Sequence, residues 1–171
     1  MRIDPYIVKK SALYTALVIF CLVLQTNLFV APEIFNVKPN LILCLVIGAA
    51  AFENARFAAI FGFVCGFITD TAFGNPFMLS GILLFFCAYI GSYVSHTYFS
   101  KNVIGFAVII LPTIFLRTLF NVFFMLANWE NFTMSTLLTG TLIPEFIYTA
   151  IVSPLFYYLI KFTAARLTTN E

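Results

Sequence analysis

The charges of this chain are few, and they fall between long apolar runs; that spacing constrains the fold more than any motif. Of 171 residues only 9 are Lys or Arg and 7 Asp or Glu, while 62% are apolar. A soluble domain carries roughly 45–50% apolar and ~25% charged residues. Folding in water leaves roughly 30% of the surface of a chain this size exposed, too much for this composition to cover with polar groups. A soluble domain, a nucleic-acid binder and a disordered protein are thereby excluded, and an integral membrane protein remains. A helical span needs ~20 apolar residues, so the chain has room for about six, with short loops. A β-barrel would show alternating polarity, and these runs are apolar on all sides.

Using the charges as boundaries, spans are expected at about 11–31, 39–52, 57–70, 77–98, 103–127 and 136–160, forming one membrane domain that is a bundle of six helices. The first follows Arg2, Lys9 and Lys10; its run is longer than a signal peptide's apolar stretch and lacks a small-residue cleavage site, so it reads as a retained helix. Pro39 suits the first turn of span 2, where no N–H is needed. Spans 2 and 3 are short. Either they extend through Glu53-Asn54-Ala55-Arg56 and past Asp70 or they form a re-entrant hairpin, and both options return the chain to the same side. Phe73-Gly74-Asn75-Pro76 is a turn. Pro112, Pro144 and Pro154 are expected to kink spans 5 and 6. With the N-terminus inside, Arg2, Lys9, Lys10, Arg56, Lys101, Lys161 and Arg166 face the cytoplasm and Lys38 alone lies outside. Seven against one predicts both termini inside.

Few residues carry recognisable chemistry. Ala58, Gly62, Gly66 and Asp70 recur every four residues on one face of span 3. Such a small-residue stripe lets helix backbones approach closely, and it serves another span of this chain, serves a partner's helix, or arises by chance. Asp70 closes it either as a carboxylate in water or as a polar contact to another helix. Arg117 and Glu145 lie within spans 5 and 6, where charge is costly and is usually paired or functional. A structural ion pair, a substrate or ion site, and snorkelling to an interface are the alternatives. Cys21, Cys44, Cys65 and Cys87 have no metal-ligand spacing and read as small buried hydrophobes. His96 has no partner within reach in the sequence. No nucleophile-base pair, metal motif or phosphate-binding loop is present, so neither enzyme activity, cofactor nor metal is expected.

Three stretches together resemble the rod shape-determining MreD family. They are Val37-Lys38-Pro39-Asn40-Leu41-Ile42-Leu43, the Gly62-Phe63-Val64-Cys65-Gly66-Phe67-Ile68-Thr69-Asp70 block with Gly74 and Gly81 downstream, and the apolar helix Pro154–Arg166 closing in basic residues. Length and span number are similar too. Asn40 stands where the family often has Asp. The resemblance implies a non-catalytic scaffold of the bacterial inner membrane, acting in cell elongation. Its implied partners are MreC and, within the same complex, RodA and a class B penicillin-binding protein, with MreB reached indirectly; membrane lipids surround it and no nucleic acid is involved. It also implies an architecture like the substrate-binding S components of energy-coupling-factor transporters. Those components are the alternative reading, for which Ala12 and Ala16 supply an Ala-x-x-x-Ala pair on span 1.

Overall fold

A computed structural model describes residues 5–27, 40–73, 79–98, 103–127 and 143–168. These form helices α1 (Pro5–Asn27), α2 (Leu41–Phe52), α3 (Ala55–Phe73), α4 (Leu79–Tyr98), α5 (Val103–Ala127) and α6 (Ile143–Thr168). The chain is all-helical among the described residues. By length and composition α3, α4, α5 and α6 are each long and apolar enough to cross a membrane, whereas α1 and α2 contribute the shorter apolar stretches Lys10–Gln25 and Leu41–Phe52.

The centre of the bundle is α2. Its residues Leu41 to Ala51 are buried without interruption, and it packs against each of the other five helices. An amphipathic helix would bury one stripe; a helix apolar all round is surrounded. Its last residues, Gly48-Ala49-Ala50-Ala51, keep the neighbours close. A methyl group at Gly48 would run into Ile160 of α6, and Ala50 lies beside Gly91 of α4.

The contacts set the helix directions. Asn40 at the start of α2 meets Thr149 near the start of α6. Glu53 at its far end meets Lys10 of α1 and Ser92 of α4. Asp70 near the end of α3 meets Ser80 at the start of α4. The ring of Phe106 near the start of α5 packs on Tyr157 late in α6. The helices therefore alternate in direction, and α1 begins at the end of the bundle where α6 finishes, the Glu53 end.

Several expected boundaries shift. Span 1 is described over Pro5–Asn27, so Lys10 lies inside α1, and residues 28–31 of its expected range lie outside the described residues. The first residue of α2 is Leu41, because the Asn40 side chain caps it by accepting from Leu43 N–H; Pro39 lies outside the described residues. Span 3 begins at Ala55, where Ala58 N–H donates to Asn54 O at 2.9 Å, and it continues through Asp70 to Phe73. Its 19 residues cover ~28 Å, and the 12 of α2 only ~18 Å, against a hydrocarbon core of ~30 Å. Span 4 is described over Leu79–Tyr98, residues 77–78 of its expected range lying outside the described residues, and span 5 agrees. Span 6 is described only from Ile143 and runs on to Thr168; of the range read for it, 136–142 lies outside the described residues. Pro144 sits in the first turn of α6, a position that suits proline; the residues before Ile143, on which the kink expected there depends, lie outside the described residues. Pro154 does free a carbonyl, that of Ala150, and Ser153 Oγ donates to it at 2.9 Å. Buried threonines follow a similar logic: Thr69, Thr113, Thr118 and Thr163 each donate to the carbonyl four residues earlier at 2.7–2.8 Å.

The small-residue stripe faces α4. A Cβ at Gly66 would lie 2.5 Å from Gly81 Cα, and one at Gly62 2.7 Å from Leu84 O. Both neighbours are backbone, which cannot yield as a side-chain tip can. Ala58 on the same stripe is fully buried. Gly66→Leu is therefore expected to force α3 and α4 apart, with an overpacking cost of ~1–3 kcal/mol or more, and to lower the melting temperature of detergent-solubilised protein. Ile60→Leu, at a position 63% exposed, should leave it unchanged. Equal melting temperatures for the two variants would show that the close approach is not needed.

Candidate functional site

Each end of α2 leaves backbone groups without intrahelical partners, and in a dry interior these must be satisfied by other parts of the chain. Polar residues gather at both ends.

At the Glu53 end, the junction between α2 and α3 forms the larger cluster. The Glu53 carboxylate is buried and takes an ion pair from Lys10 Nζ on one oxygen and a hydrogen bond from Tyr14 Oη at 3.0 Å on the other. Its backbone N–H donates to Ala49 O at 2.9 Å. Its carbonyl accepts from Ser92 Oγ at 2.7 Å and from His96 Nε2 at 3.0 Å, which places the ring proton on Nε2. Ser95 Oγ donates to Ala51 O at 3.1 Å. Lys10 also lies over the Phe57 ring at 5.0 Å, and Tyr14 packs on Phe57 and Phe61. Thus α1 and α4 are both tied to the break between α2 and α3.

Of these residues the sequence marks Lys10 and Glu53 only as charges at span boundaries, and His96 without a partner. Helical spacing holds the clue to the others. Lys10 and Tyr14 are one turn apart, Ser92, Ser95 and His96 share one face of α4, and Glu53 is the carboxylate that interrupts the apolar run. The hydroxyls of Ser92 and Ser95 are spent on backbone carbonyls, so neither is poised as a nucleophile.

At the opposite end, Asn40 caps α2 and its own N–H donates to Thr149 Oγ1 at 3.3 Å. The Thr149 carbonyl accepts a weak bond from Cys44 Sγ at 3.9 Å. Asp70 is buried, and its Oδ2 accepts from Ser80 N–H at 3.0 Å. A residue of α3 thereby caps the first turn of α4, where a carboxylate also suits the helix dipole. Asp70 is a contact between helices of this chain.

Arg117 and Glu145 are drawn towards the same end. Glu145 occupies the first turn of α6. The charge of Arg117 is felt by both Glu145 and Asp70, yet the guanidinium Nε and Nη1 are buried without a hydrogen-bond partner among the described residues. Arg117 and Glu145 form no direct ion pair among the described residues, which leaves the water-bridged form of the contact expected from the sequence. One arginine instead lies in the field of two carboxylates, one of which is already engaged in capping α4.

The cysteines Cys21, Cys44, Cys65 and Cys87 are free thiols, the first three buried. Among the described residues no three His, Cys, Asp or Glu side chains gather as a metal site. Compared with known proteins, the chain matches no family model, no curated sequence and no solved structure.

The two charge clusters should respond differently to substitution. Lys10→Met leaves the buried Glu53 carboxylate without its cation and is expected to cost roughly 3 kcal/mol, and Glu53→Gln, which leaves the half-buried Lys10, somewhat less, each read as a lower melting temperature in detergent. The double variant should be milder than the sum of the singles. The same cycle on Arg117→Leu and Glu145→Leu should show weaker coupling, because no bidentate bond is lost. Stronger coupling in the second cycle than in the first would overturn this ranking.

Proposed function

We propose that this chain is a non-catalytic scaffold of the bacterial cell-elongation complex. In this reading the six-helix bundle sits in the inner membrane, with α3, α4, α5 and α6 long enough to cross it, both termini in the cytoplasm and the Glu53 end inside. The chain binds MreC, shares a complex with RodA and a class B penicillin-binding protein, and reaches MreB filaments indirectly. The observation that carries the reading is the Gly62–Asp70 block, the most informative part of the resemblance to MreD proteins. The small and charged residues that define that block are all used in packing, since Gly62 and Gly66 admit the α4 backbone and Asp70 caps α4. A motif whose residues build a hairpin suits a protein that presents a surface rather than one that performs chemistry. The seven-to-one distribution of Lys and Arg supports the orientation.

One observation favours a second reading, the substrate-binding S component of an energy-coupling-factor transporter. Ala12 and Ala16 are both exposed on α1, leaving a small-residue face open to a coupling subunit.

Depletion in the rod-shaped host separates the two. The scaffold reading expects rounded cells, together with co-purification of MreC with the tagged chain from native membranes. Normal rods with a vitamin-uptake defect, and an ATPase-linked coupling subunit in place of MreC, would establish the second reading and reject the first.

A further inference from the structure

The α3–α4 hairpin has an outer side that none of the described helices covers. On α4, Ile82, Phe86, Tyr89 and Tyr93 follow one another at intervals of four, three and four residues and are 47–61% exposed. On α3, Ile60, Phe63 and Phe67 follow at three and four and are also exposed. Between the two rows lies an open groove of about 390 Å³, walled by Ile60, Phe63, Ile82, Phe85 and Phe86. Alternating intervals of three and four are the spacing at which a helix keeps one seam against another helix along its length. A groove flanked by two such rows has the shape to receive a third helix.

Exposed Ile and Phe alone would say only that lipid covers this side. Tyr89 argues otherwise. It is the eleventh of the 20 residues of α4, ~15 Å from either end of the helix. Tyrosines facing lipid gather at the two interfaces, where the hydroxyl reaches water. At mid-helix neither interface is within reach of the side chain. Tyr89 is 47% exposed, and its hydroxyl makes no hydrogen bond among the described residues. Acyl chains offer it no partner, and an unbonded hydroxyl in hydrocarbon is unfavourable. The occupant must therefore supply a hydrogen-bonding group at mid-membrane depth, which a transmembrane helix does with Ser, Thr, Asn or Gln. A second copy of this chain fits poorly. A two-fold contact sets the same patch against itself, and a groove placed on a groove leaves both empty.

We propose that the α3–α4 groove is the docking site for the single transmembrane helix of a single-pass partner, held by interdigitation along Ile82, Phe86 and Phe63 and by a hydrogen bond to Tyr89. This rests on the scaffold reading, in which MreC is that partner, and adds the face at which it binds.

The test uses the full-length chain in native membranes of its host. A photocrosslinking phenylalanine analogue replaces Phe86 or, as a control, the likewise exposed Ile151 of α6. The groove position should yield an adduct whose crosslinked peptide maps to the transmembrane helix of the single-pass partner, and the control should not. Tyr89→Phe, which removes only the hydroxyl, should lower recovery of the partner about threefold, corresponding to ~0.6 kcal/mol for one interhelical hydrogen bond. Ile82→Trp, which fills the groove, should abolish recovery while the melting temperature of the purified chain stays at the wild-type value. If that variant loses stability, the crosslink and Tyr89→Phe still decide. Adducts with lipid only, or with a second copy of the chain, would overturn the inference. A partner that co-purifies but crosslinks from Ile151 and not from Phe86 would overturn the site while leaving the scaffold reading intact. Absence of any single-pass partner from the wild-type complex would overturn both.

Discussion

A short helix buried in the middle of an apolar bundle is the constraint to which the rest of this structure answers. At 12 residues, α2 ends well within the thickness of a hydrocarbon core, so its terminal amides and carbonyls cannot rely on water. Backbone groups left unpaired there are costly. The chain meets the demand with its own side chains, most of them from other helices. Asn40 caps the start of α2 and binds Thr149 of α6. Ser95, Ser92 and His96 of α4 close the end, and Lys10 and Tyr14 of α1 neutralise and bind the carboxylate that the break leaves there. Apolar packing between helices is a weak guide to register in a membrane, since lipid is as apolar as leucine. Polar contacts that must be made at two fixed heights are a strong one. The need to finish α2 thus positions α1, α4 and α6 around it.

The α3–α4 pair uses a different device. Its backbones meet where Gly66 and Gly81 leave no room for a side chain, and Asp70 reaches across to the first turn of α4. The close approach fixes the separation of the helices, and the carboxylate fixes their relative height. These contacts close the inner side of the hairpin, and the groove lies on its outer side.

The sequence discloses some of this and hides the rest for identifiable reasons. Span positions are readable because charges interrupt the apolar runs at Lys10, Glu53 and Arg56 and at Lys101. The stripe Ala58, Gly62, Gly66 is readable because small residues at four-residue spacing share a helix face. Its neighbour is not, since spacing on one helix says nothing about which other helix meets it. Glu53 looks in the sequence like a boundary marker and nothing more. That a carboxylate at a boundary is buried depends on Lys10, 43 residues earlier in the chain, arriving beside it. Arg117 and Glu145 show another limit. Residue counts place each within its span but say nothing of how the two helices are rotated, and no direct ion pair forms between them among the described residues; Glu145 lies in the first turn of α6, where the helix dipole also favours a carboxylate.

The two ends of α2 are consequently unlike in character. At the Glu53 end each polar group of the central cluster is bonded, and the charges cancel as Lys10 against Glu53. At the Asn40 end Arg117 retains two nitrogens unbonded among the described residues, in the field of two carboxylates, of which Asp70 is engaged and Glu145 is placed by its helix. A guanidinium in that position acts on its surroundings through charge and not through bond geometry. At the Glu53 end the contacts are directional hydrogen bonds at 2.7–3.1 Å, which weaken steeply with distance and angle. The Asn40 end carries directional bonds as well, from Asn40 to Thr149 Oγ1 and from Ser80 N–H to Asp70, so the difference between the two ends lies in how the charges are met: at one end as a bonded pair, at the other without direct contact.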